Sequence, residues 1–278
     1  MIKIALDAGH GLNTAGKQTP DGIKEWTLND KVRDKVVQLL KDYDCEIIHT
    51  DNNEGNVDET LASRVQRYIN AGADVFVSIH HNAFNNKWNN ATGVEVFTDK
   101  NPTAADSRLA ECIYKNLPKY TGLKGRGIKA ENWWVINQNR IPAVLVEGGF
   151  MDSKIDHPVI TSENGQDGYA RAVAEGLIEF LGLKKKVTPG WKQDNKGWRY
   201  QNADGTYPKN EWLKLDAWYC FDKNGYAVQS AWAKVKGKWY YFDKSCRMVT
   251  GLKTIGGKLY YLANDGHLCY TNSKGELK

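Results

Sequence analysis

Three apolar, β-branched runs that each stop at an ionisable side chain place the strongest constraint on the fold of this 278-residue chain. The runs are IKIALDAGH, ending at His10, DVFVSIH, ending at His80, and PAVLVE, ending at Glu147. Such runs are typical of buried strands. A carboxylate or imidazole at the end of a buried strand must be paired or bound to a metal to offset its desolvation. In open α/β sheets, these strand ends line a common crevice where ligands bind.

Segments of strand and helix character alternate through the first two thirds of the chain. Strands are predicted at residues 2–7, 45–50, 74–80, 93–98 and 142–147. Helices are predicted at about 27–42, 57–71, 103–117 and 166–181. This alternation predicts an α/β fold with an open twisted sheet and helices on both faces.

Four side chains in this part are candidates for one site: His10, Glu25, His80 and Glu147. Two histidines and a carboxylate form the ligand set of a catalytic zinc ion, which leaves a fourth position open for water. Taken singly, a histidine after a strand is more often a hydrogen-bonded structural residue, and Glu25 in DGIKEWTLND is typical of a helix start. Glu147 is different because it is a carboxylate at the mouth of a buried strand, followed by GGF.

The last part of the chain contains a repeat of about 20 residues. One series of repeat positions is Trp191, Trp212, Trp232 and Leu252, and the second is Trp198, Trp218, Trp239 and Leu259. Each unit pairs an aromatic strand with a turn of the D-x-G type, which is a hairpin signal. Because a single hairpin is barely stable, we expect stacked hairpins that share a core, an all-β hairpin-repeat solenoid.

Charge and composition change near Leu183. Residues 184–278 carry 18 Lys and Arg against 8 Asp and Glu, whereas the whole chain has a net charge of +5. The stretch KKKVTPG is typical of an exposed linker. We therefore expect a catalytic domain at residues 1–183, a linker at 184–190 and a repeat domain at 191–278. On charge alone, the basic tail fits an anionic partner such as nucleic acid or a phosphate-rich polymer, or simply a solvated lysine surface.

Nothing in the sequence predicts membrane insertion, because no stretch approaches eighteen uninterrupted apolar residues. The segment MIKIALDAGHG lacks the charged start, apolar core and cleavage site of a signal peptide. The five cysteines are irregularly spaced and predict no disulfide framework. We expect synthesis in the cytoplasm without a signal peptide.

The ordered motifs of the first part resemble the zinc-dependent N-acetylmuramoyl-L-alanine amidases of bacterial autolysins and phage endolysins. The motifs are LDAGHG (6–11), KE (24–25), SIHHNA (78–83), GRGIK (125–129) and PAVLVEGGFMD (142–152). The family usually carries DPGHG where this chain has DAGHG. Ala8 is expected to change the stiffness of the loop and not its ligands, since proline mainly fixes φ.

The resemblance implies a zinc ion held by His10, Glu25 and His80, with Glu147 as the catalytic carboxylate. It also implies hydrolysis of the amide between N-acetylmuramic acid and L-alanine in peptidoglycan. His81 follows a ligand directly and, by strand alternation, is expected to point away from it.

The repeats resemble the choline-binding repeats of pneumococcal and phage lysins, notably in GWKQDNKGW and GKWYYFD. The resemblance implies aromatic cages that bind choline on teichoic acids through the ring faces, at about 0.5–2 kcal/mol per contact. The candidate cage residues are Trp191, Trp198, Trp212, Trp218, Trp232, Trp239, Tyr241 and Tyr261. Leu252 and Leu259 predict a cap in the last repeat, and Cys220 and Cys246 replace a tyrosine and a glycine.

Together the two resemblances imply a lytic enzyme of the cell wall, most simply a phage endolysin. An endolysin of phage origin is released to the wall through a holin. Its partners are then peptidoglycan and choline, with no nucleic acid and no membrane insertion. Three alternatives stay open: a zinc exo- or carboxypeptidase acting on wall peptides, a glucan-binding tail, and a wall-adhesion protein with a vestigial site.

Overall fold

The computed structural model describes residues 1–138 and 140–270 of the chain. These residues form two compact units, of which the first spans Met1–Lys186 and the second begins at Val187. Each unit has its own apolar core. Among the described residues, no helix is both long and apolar enough to cross a membrane.

The first unit contains six strands and six helices in its described part. The strands are β1 (Ile2–Ala8), β2 (Cys45–His49), β3 (Val75–Asn82), β4 (Val94–Asp99), β5 (Gly125–Glu131) and β6 (Ala143–Phe150). The helices are α1 (Glu25–Leu40), α2 (Leu61–Ala71), α3 (Ala104–Tyr114), α4 (Leu117–Thr121), α5 (His157–Ile160) and α6 (Glu163–Leu181).

The six strands form one sheet in the order β2-β1-β3-β6-β4-β5. Strands β2, β1, β3 and β6 are parallel, whereas β4 pairs antiparallel with β6 and parallel with β5. The carboxyl ends of β1, β3 and β6 therefore meet at one edge of the sheet, where the candidate residues of the sequence lie.

Successive side chains along each strand point to opposite faces of the sheet, so each face has its own core. On one face, Val77 and Val146 pack with residues of α1, α3 and α6. On the other face, Phe76 and Leu145 pack with Val65 and Tyr68 of α2. The predicted α/β sheet with helices on both faces is thus confirmed.

The sequence-based elements differ from the structure in two respects. The segment GRGIK lies in β5, which was not predicted as a strand. Its residues alternate between half-buried and exposed because β5 is an edge strand of the sheet. Helix α2 begins at Leu61 and not at residue 57, because Thr60 is its N-cap and accepts a hydrogen bond from the backbone N–H of Ser63 at 3.1 Å.

The three lysines that were expected to begin the linker, residues 184–186, are bound to the first unit by backbone hydrogen bonds. The N–H of Asp44 donates to the carbonyl of Lys184 at 3.0 Å, and the N–H of Lys186 donates to the carbonyl of Asp42 at 2.6 Å. The boundary between the units therefore lies after Lys186, three residues beyond the expected end of the first domain.

The second unit consists of four antiparallel hairpins in its described part. They are β7 (Gly190–Asp194) with β8 (Gly197–Gln201), β9 (Trp212–Lys214) with β10 (Trp218–Cys220), β11 (Ala231–Val235) with β12 (Lys238–Phe242), and β13 (Gly251–Ile255) with β14 (Lys258–Leu262).

One backbone hydrogen bond recurs between successive hairpins. The N–H groups of Ala227, Met248 and Leu268 donate to the carbonyls of Trp198, Trp218 and Trp239 at 2.8, 2.8 and 2.7 Å. Each bond joins a hairpin to the turn that follows the next one. This repetition confirms the predicted hairpin-repeat solenoid.

The turn after each hairpin needs a residue in the left-handed region. Gly205, Gly225 and Gly266 take it with φ between 85° and 86°, and Cys246 takes it with φ of 62°. Cys246 is buried against Tyr219 and Phe221. A non-glycine residue in this region costs about 1–2 kcal/mol, so the cysteine that replaces the expected glycine sits in a strained position.

Candidate functional site

Three donor side chains meet at the edge of the sheet. His10 follows β1, Glu25 is the first residue of α1, and His80 lies in β3. The Glu25 carboxylate lies between the two imidazoles, with Oε2 at 3.3 Å from Nε2 of His10 and Oε1 at 3.1 Å from Nδ1 of His80. One donor atom from each residue lies within 4.8 Å of the others, so the group could hold a metal ion.

The backbone at His10 is held by a buried arginine. His10 has a φ of 66°, and Arg64 donates from Nη2 to its carbonyl at 2.7 Å and from Nη1 to the carbonyl of Ala8 at 2.9 Å. The same guanidinium pairs with the buried Asp7, which also accepts a hydrogen bond from Ser78 at 2.6 Å. This network lies next to the donor group and was not identified from the sequence, because a lone arginine in a helix carries no local signal of burial.

Gly9 lets the imidazole of His80 approach the loop after β1. A Cβ atom on Gly9 would lie 2.0 Å from Cε1 of His80, far inside van der Waals contact. The rings of His10 and His80 are nearly perpendicular, with centroids 4.9 Å apart. Gly9 is therefore required because the side chain of His80 approaches its backbone closely.

The pKa shifts of His10 and Glu25 suit the binding of a cation. Burial lowers the pKa of His10 to about 4, so the imidazole is neutral at neutral pH. Burial alone would raise the pKa of Glu25, but the hydrogen bond and charge of His80 and the charge of His10 lower it to about 2. Metal ligands must be deprotonated. Within the part of the chain that the structure describes, the buried Oε2 of Glu25 has no hydrogen-bond partner, which is a feature that calls for an explanation.

Glu147 lies in the strand beside His80. The two residues are paired in register between β3 and β6, and Glu95 of β4 lies opposite Glu147 on the other side. Burial raises the pKa of Glu147 well above its usual value, and the charges of Glu25 and Glu95 raise it further. Its Oε2 is buried and unpaired among residues 1–138 and 140–270. A carboxyl group in this state can exchange a proton with a nearby water molecule.

Glu95 is neutralised by residues of the neighbouring strands. It accepts hydrogen bonds from Nδ2 of Asn82 at 2.6 Å and from Nε of Arg126 at 2.9 Å, and it pairs with Lys129. Arg126 and Lys129 belong to the GRGIK motif, so this segment supplies the cations that balance the second buried glutamate. Glu95 thus has its oxygens satisfied, whereas Glu147 does not.

His81 points to the opposite face of the sheet, as strand alternation predicts. Its Nδ1 lies 2.8 Å from Oδ1 of Asn29, and its ring packs edge-on against Tyr169 of α6. Nδ2 of Asn29 donates to the carbonyl of Gly9 at 3.1 Å. Glu25 also accepts a hydrogen bond from the backbone N–H of His81 at 3.2 Å. His81 and Asn29 therefore fix the positions of the glutamate and the glycine loop without joining the donor group.

A cleft of about 320 Å³ opens beside the donor group. It is lined by His10 and His80, by the residues that lead into α2 from Asp58 to Leu61, and by Val135. The site is therefore open on the α2 face of the sheet, where a polymer segment has room to enter.

Two tryptophan pairs of the repeat unit form right-angled corners. The ring centroids of Trp191 and Trp198 are 6.4 Å apart at 88°, and those of Trp212 and Trp218 are 6.2 Å apart at 86°. A tyrosine from the next hairpin lies against the first tryptophan of each pair: Tyr219 at 4.8 Å from Trp191 and Tyr240 at 4.9 Å from Trp212. Each corner thus becomes a three-sided cage.

The third hairpin follows the same rule only in part. Trp232 lies 5.1 Å from Tyr260 of the next hairpin and 5.2 Å from Tyr241 of its own. Trp239 is 38% exposed. In the fourth hairpin Leu252 and Leu259 occupy the tryptophan positions and are 66% and 69% exposed, so this hairpin has no pair of aromatic walls at those positions.

Tyrosines one position before the expected Tyr241 and Tyr261 also lie against tryptophans of the repeat unit. The structure places Tyr240 and Tyr260 against the preceding tryptophan, whereas Tyr241 is the cross-strand partner of Trp232 and Tyr261 that of Leu252. The one-residue difference follows from the alternation of side chains along a strand. The sequence YY occurs in both strands, and only the stacking of the hairpins decides which tyrosine faces the neighbour.

Comparisons with known proteins agree with the donor group of the first unit and the aromatic hairpins of the second. Residues 4–179 match the N-acetylmuramoyl-L-alanine amidase family, and residues 228–273 match the choline-binding repeat. The endolysin of Bacillus phage SPP1 is 34% identical over 190 residues, which cover 66% of this chain and 67% of that protein. The N-acetylmuramoyl-L-alanine amidase CwlM of Bacillus licheniformis is 27% identical over 220 residues, covering 78% of this chain and 84% of the relative.

A solved structure resembles the first unit. The catalytic domain of CwlV, an N-acetylmuramoyl-L-alanine amidase from Bacillus (Paenibacillus) polymyxa, aligns with a TM-score of 0.60 and 30% sequence identity. The alignment covers 66% of this chain and 100% of that domain.

Proposed function

The chain belongs to the N-acetylmuramoyl-L-alanine amidase family, and from this premise we propose that its first unit is a zinc enzyme in which His10, Glu25 and His80 hold the metal. The reaction is hydrolysis of the amide between N-acetylmuramic acid and L-alanine in peptidoglycan. The observation that supports the site assignment is the meeting of one donor atom each from His10, Glu25 and His80 within 4.8 Å of one another, beside a buried glutamate whose Oε2 has no hydrogen-bond partner among the described residues.

The residues present fit a zinc ion. Two imidazoles and one carboxylate are a donor set of catalytic zinc sites. The Glu25 carboxylate lies between the two imidazoles, and its buried Oε2 has no hydrogen-bond partner among the described residues. When bound, zinc would supply a Lewis acid for the amide carbonyl and lower the pKa of a water molecule. The remaining requirements fall on side chains and backbone of the chain itself.

Glu147 is proposed as the proton-transfer group. It neighbours His80 across the sheet, and its Oε2 makes no hydrogen bond within the described residues. The carboxylate would take a proton from the attacking water and deliver it to the departing amine of L-alanine, so that one group serves both steps. Glu95 is not suited to this role because Asn82, Arg126 and Lys129 occupy its oxygens.

Arg64 and Asn29 are proposed to position the donors. Arg64 holds the carbonyls of Ala8 and His10, and Asn29 holds the carbonyl of Gly9. The hydrogen bonds fix the backbone on both sides of His10, and such outer contacts are typically worth about 10–100-fold in metal affinity or activity.

The repeat unit is proposed to bind choline on the cell wall. Its sequence matches the choline-binding repeat, and its electron-rich cages have the ring arrangement that attracts a quaternary ammonium group. Binding to the wall would raise the effective concentration of peptidoglycan around the first unit. The whole protein would then act as an endolysin on the wall after release from the cell.

Digestion of purified peptidoglycan with and without a chelator tests the enzymatic proposal. The expected products are peptides with new L-alanine amino termini and intact glycan strands, formed only when metal is present. Peptides shortened from the carboxyl end would identify a carboxypeptidase, and new reducing sugar ends would identify a glycosidase; either result contradicts the proposal.

Two variants separate the roles within the site. His80→Ala is expected to lose most of the bound zinc from about one per chain. Glu147→Gln is expected to keep the zinc and to lower turnover by about 10²–10⁴-fold, the usual size of acid–base contributions. Equal loss of zinc in both variants would make Glu147 a ligand and overturn the assignment.

A further inference from the structure

The first unit carries an aromatic corner outside the donor group. The rings of Trp88 and His157 meet nearly at right angles, at 88°, with their centroids 4.9 Å apart. Together with Lys154 and Pro158, the two rings line an open pocket of about 270 Å³. Trp88 is 43% exposed, so a large part of its indole ring faces the solvent beside this pocket.

The loop that carries Trp88 is fixed by hydrogen bonds at both ends. The buried Asp152 accepts hydrogen bonds from the backbone N–H groups of residues 84–86 at 2.8–3.1 Å. After the tryptophan, the N–H of Asn89 donates to the carbonyl of Asp152, and the N–H of Lys154 donates to the carbonyl of Asn89, both at 2.9 Å. A rigid loop that holds an aromatic ring in the solvent loses little conformational entropy when a ligand binds.

A short turn joins the corner to the donor group. The N–H of Glu25 donates to the carbonyl of Lys17 at 3.0 Å, and Asp21 lies between these two residues. Oδ1 of Asp21 lies 3.3 Å from Nε2 of His157. The four residues from Asp21 to Glu25 span at most about 14 Å, so one polymer chain is long enough to contact both the corner and the donors.

The corner and the cleft beside the donors lie on opposite faces of the sheet. Val135 lines the cleft and belongs to the core on the α2 face. His157 begins α5, whose Val159 and Ile160 pack in the core with α1 and α6. The donors at the carboxyl edge of the sheet therefore have a recess on each face.

The two recesses differ in chemistry. Charged side chains line the cleft on the α2 face, among them Asp58, Glu59 and Arg64. The corner instead offers an indole ring, a proline and one lysine amine. In peptidoglycan, the amide that this family cleaves joins a glycan strand to a peptide. A sugar ring presents C–H groups to an aromatic face and oxygen acceptors to an amine, which matches the corner.

We propose that the corner of Trp88 and His157 binds a sugar ring of the glycan strand, with Lys154 donating to its oxygens. The peptide arm of the substrate then lies in the cleft on the α2 face. This orientation rests on the proposed hydrolysis of the muramoyl–L-alanine amide and adds which arm of the substrate occupies which recess. Trp88 is thereby a specificity-determining residue for glycan length.

Kinetics of the full-length protein on two soluble substrates test this orientation. One substrate is a peptide on a single N-acetylmuramoyl residue, and the other is the same peptide on a peptidoglycan tetrasaccharide. Trp88→Ala is expected to raise KM for the tetrasaccharide about twofold to tenfold with kcat unchanged, because the corner binds a remote part of the substrate. KM for the single-sugar substrate is expected to stay the same.

Two further variants serve as controls. Phe84→Ala removes an aromatic ring from the same loop that is 70% exposed and does not line the pocket, and it is expected to leave both KM values unchanged. Trp88→Phe retains an aromatic face and is expected to restore most of the preference for the tetrasaccharide. Near-ultraviolet circular dichroism checks that each variant is folded.

Three results would overturn the proposed orientation. The first is an equal rise in KM for both substrates in folded Trp88→Ala, and the second is an equal effect of Phe84→Ala. The third is a KM in Trp88→Ala that rises with the length of the peptide and not with that of the glycan, which would place the peptide in the corner. Failure of the wild-type protein to hydrolyse either substrate would instead refute the proposed function.

Discussion

At the scale of single residues, the candidate metal centre depends on backbone shape as much as on its donors. His10 adopts a φ of 66°, and its neighbour Gly9 has no Cβ to separate it from the ring of His80. Arg64 donates hydrogen bonds to the carbonyl groups of Ala8 and His10, which flank Gly9. The donors could not come together around one point with an ordinary residue at position 9.

Gly9→Ala is therefore expected to displace the ring of His80 and weaken metal binding by about 10–100-fold, a loss comparable to that of an outer-contact mutation. Zinc competition with a chromogenic chelator measures the affinity directly. Gly190→Ala, where a Cβ would meet nothing within 4 Å and φ is not positive, is the control. Unchanged affinity in Gly9→Ala would show that His80 can bind from another position.

At the scale of elements, loops are held by buried carboxylates. The loop between β3 and β4 begins after Asn82 and carries the exposed aromatics Phe84 and Trp88. Its first turn is fixed by the fully buried Asp152, which accepts hydrogen bonds from the backbone N–H groups of Phe84, Asn85 and Asn86 at 2.8–3.1 Å.

Asp152→Asn is expected to lower the free energy of unfolding by about 1–3 kcal/mol at pH 7, because charged hydrogen bonds to the loop are lost. Burial alone would raise the pKa of Asp152, but the backbone donors of Asn85 and Phe84 hold it below its usual value. A carboxyl group with a depressed folded-state pKa stabilises the fold above its unfolded pKa of about 3.9, and this contribution is lost as pH falls through the lower folded value.

The wild-type protein should therefore lose stability relative to Asp152→Asn below about pH 4. Denaturant unfolding at several pH values measures the difference, and the exposed Asp42→Asn serves as the control. A stability gap between wild type and Asp152→Asn that is the same at pH 3 and pH 7 would contradict the assignment.

The hairpin turns provide a second element-scale test. Gly225 has a φ of 85°, and a Cβ there would lie 3.2 Å from the carbonyl oxygen of Pro208. Gly225→Ala is expected to destabilise the repeat unit by about 1–2 kcal/mol, the cost of a left-handed non-glycine residue. The thermal transition of the repeat unit, followed by near-ultraviolet circular dichroism, gives the measurement. An unchanged transition would mean that the turn can adopt another form.

At the scale of the whole molecule, two units with separate cores carry the two proposed sites. The donor group and Glu147 lie in Met1–Lys186, and the cages lie after Val187. Residues 184–278 are net basic, with 18 Lys and Arg against 8 Asp and Glu, whereas residues 1–183 carry 20 against 25. Under the proposed function, charge attraction to an anionic wall and choline binding in the cages would be two distinct contributions.

A fragment ending at Lys186 is expected to hydrolyse soluble muropeptides at a rate close to that of the full chain. It should clear choline-bearing cells much more slowly, because it lacks the tether that raises the effective substrate concentration. Turbidity of a cell suspension and release of soluble peptides are measured side by side. Adding salt distinguishes charge attraction, which is screened, from choline binding, which free choline reverses. Equal cell clearing by fragment and full chain would refute the targeting role.

The sequence by itself determined the alternating sheet, the hairpin repeat and the four residues of the candidate site. Apolar periodicity and motif spacing are local properties of the chain, so they can be recognised in the sequence without a structure. The candidates could be identified because His10 follows β1, Glu25 begins α1, and His80 and Glu147 lie in the buried strands β3 and β6.

Only the tertiary structure decided which residues support that site. Arg64 and Glu95 lie far in sequence from the donors, and Asn29 follows Glu25 by one helical turn; the roles of all three arise when α1, α2 and β4 pack on the sheet. The choice of Tyr240 over Tyr241 likewise depends on how one hairpin stacks on the next. Contacts between distant segments depend on register and packing, and local patterns in the sequence contain no record of either.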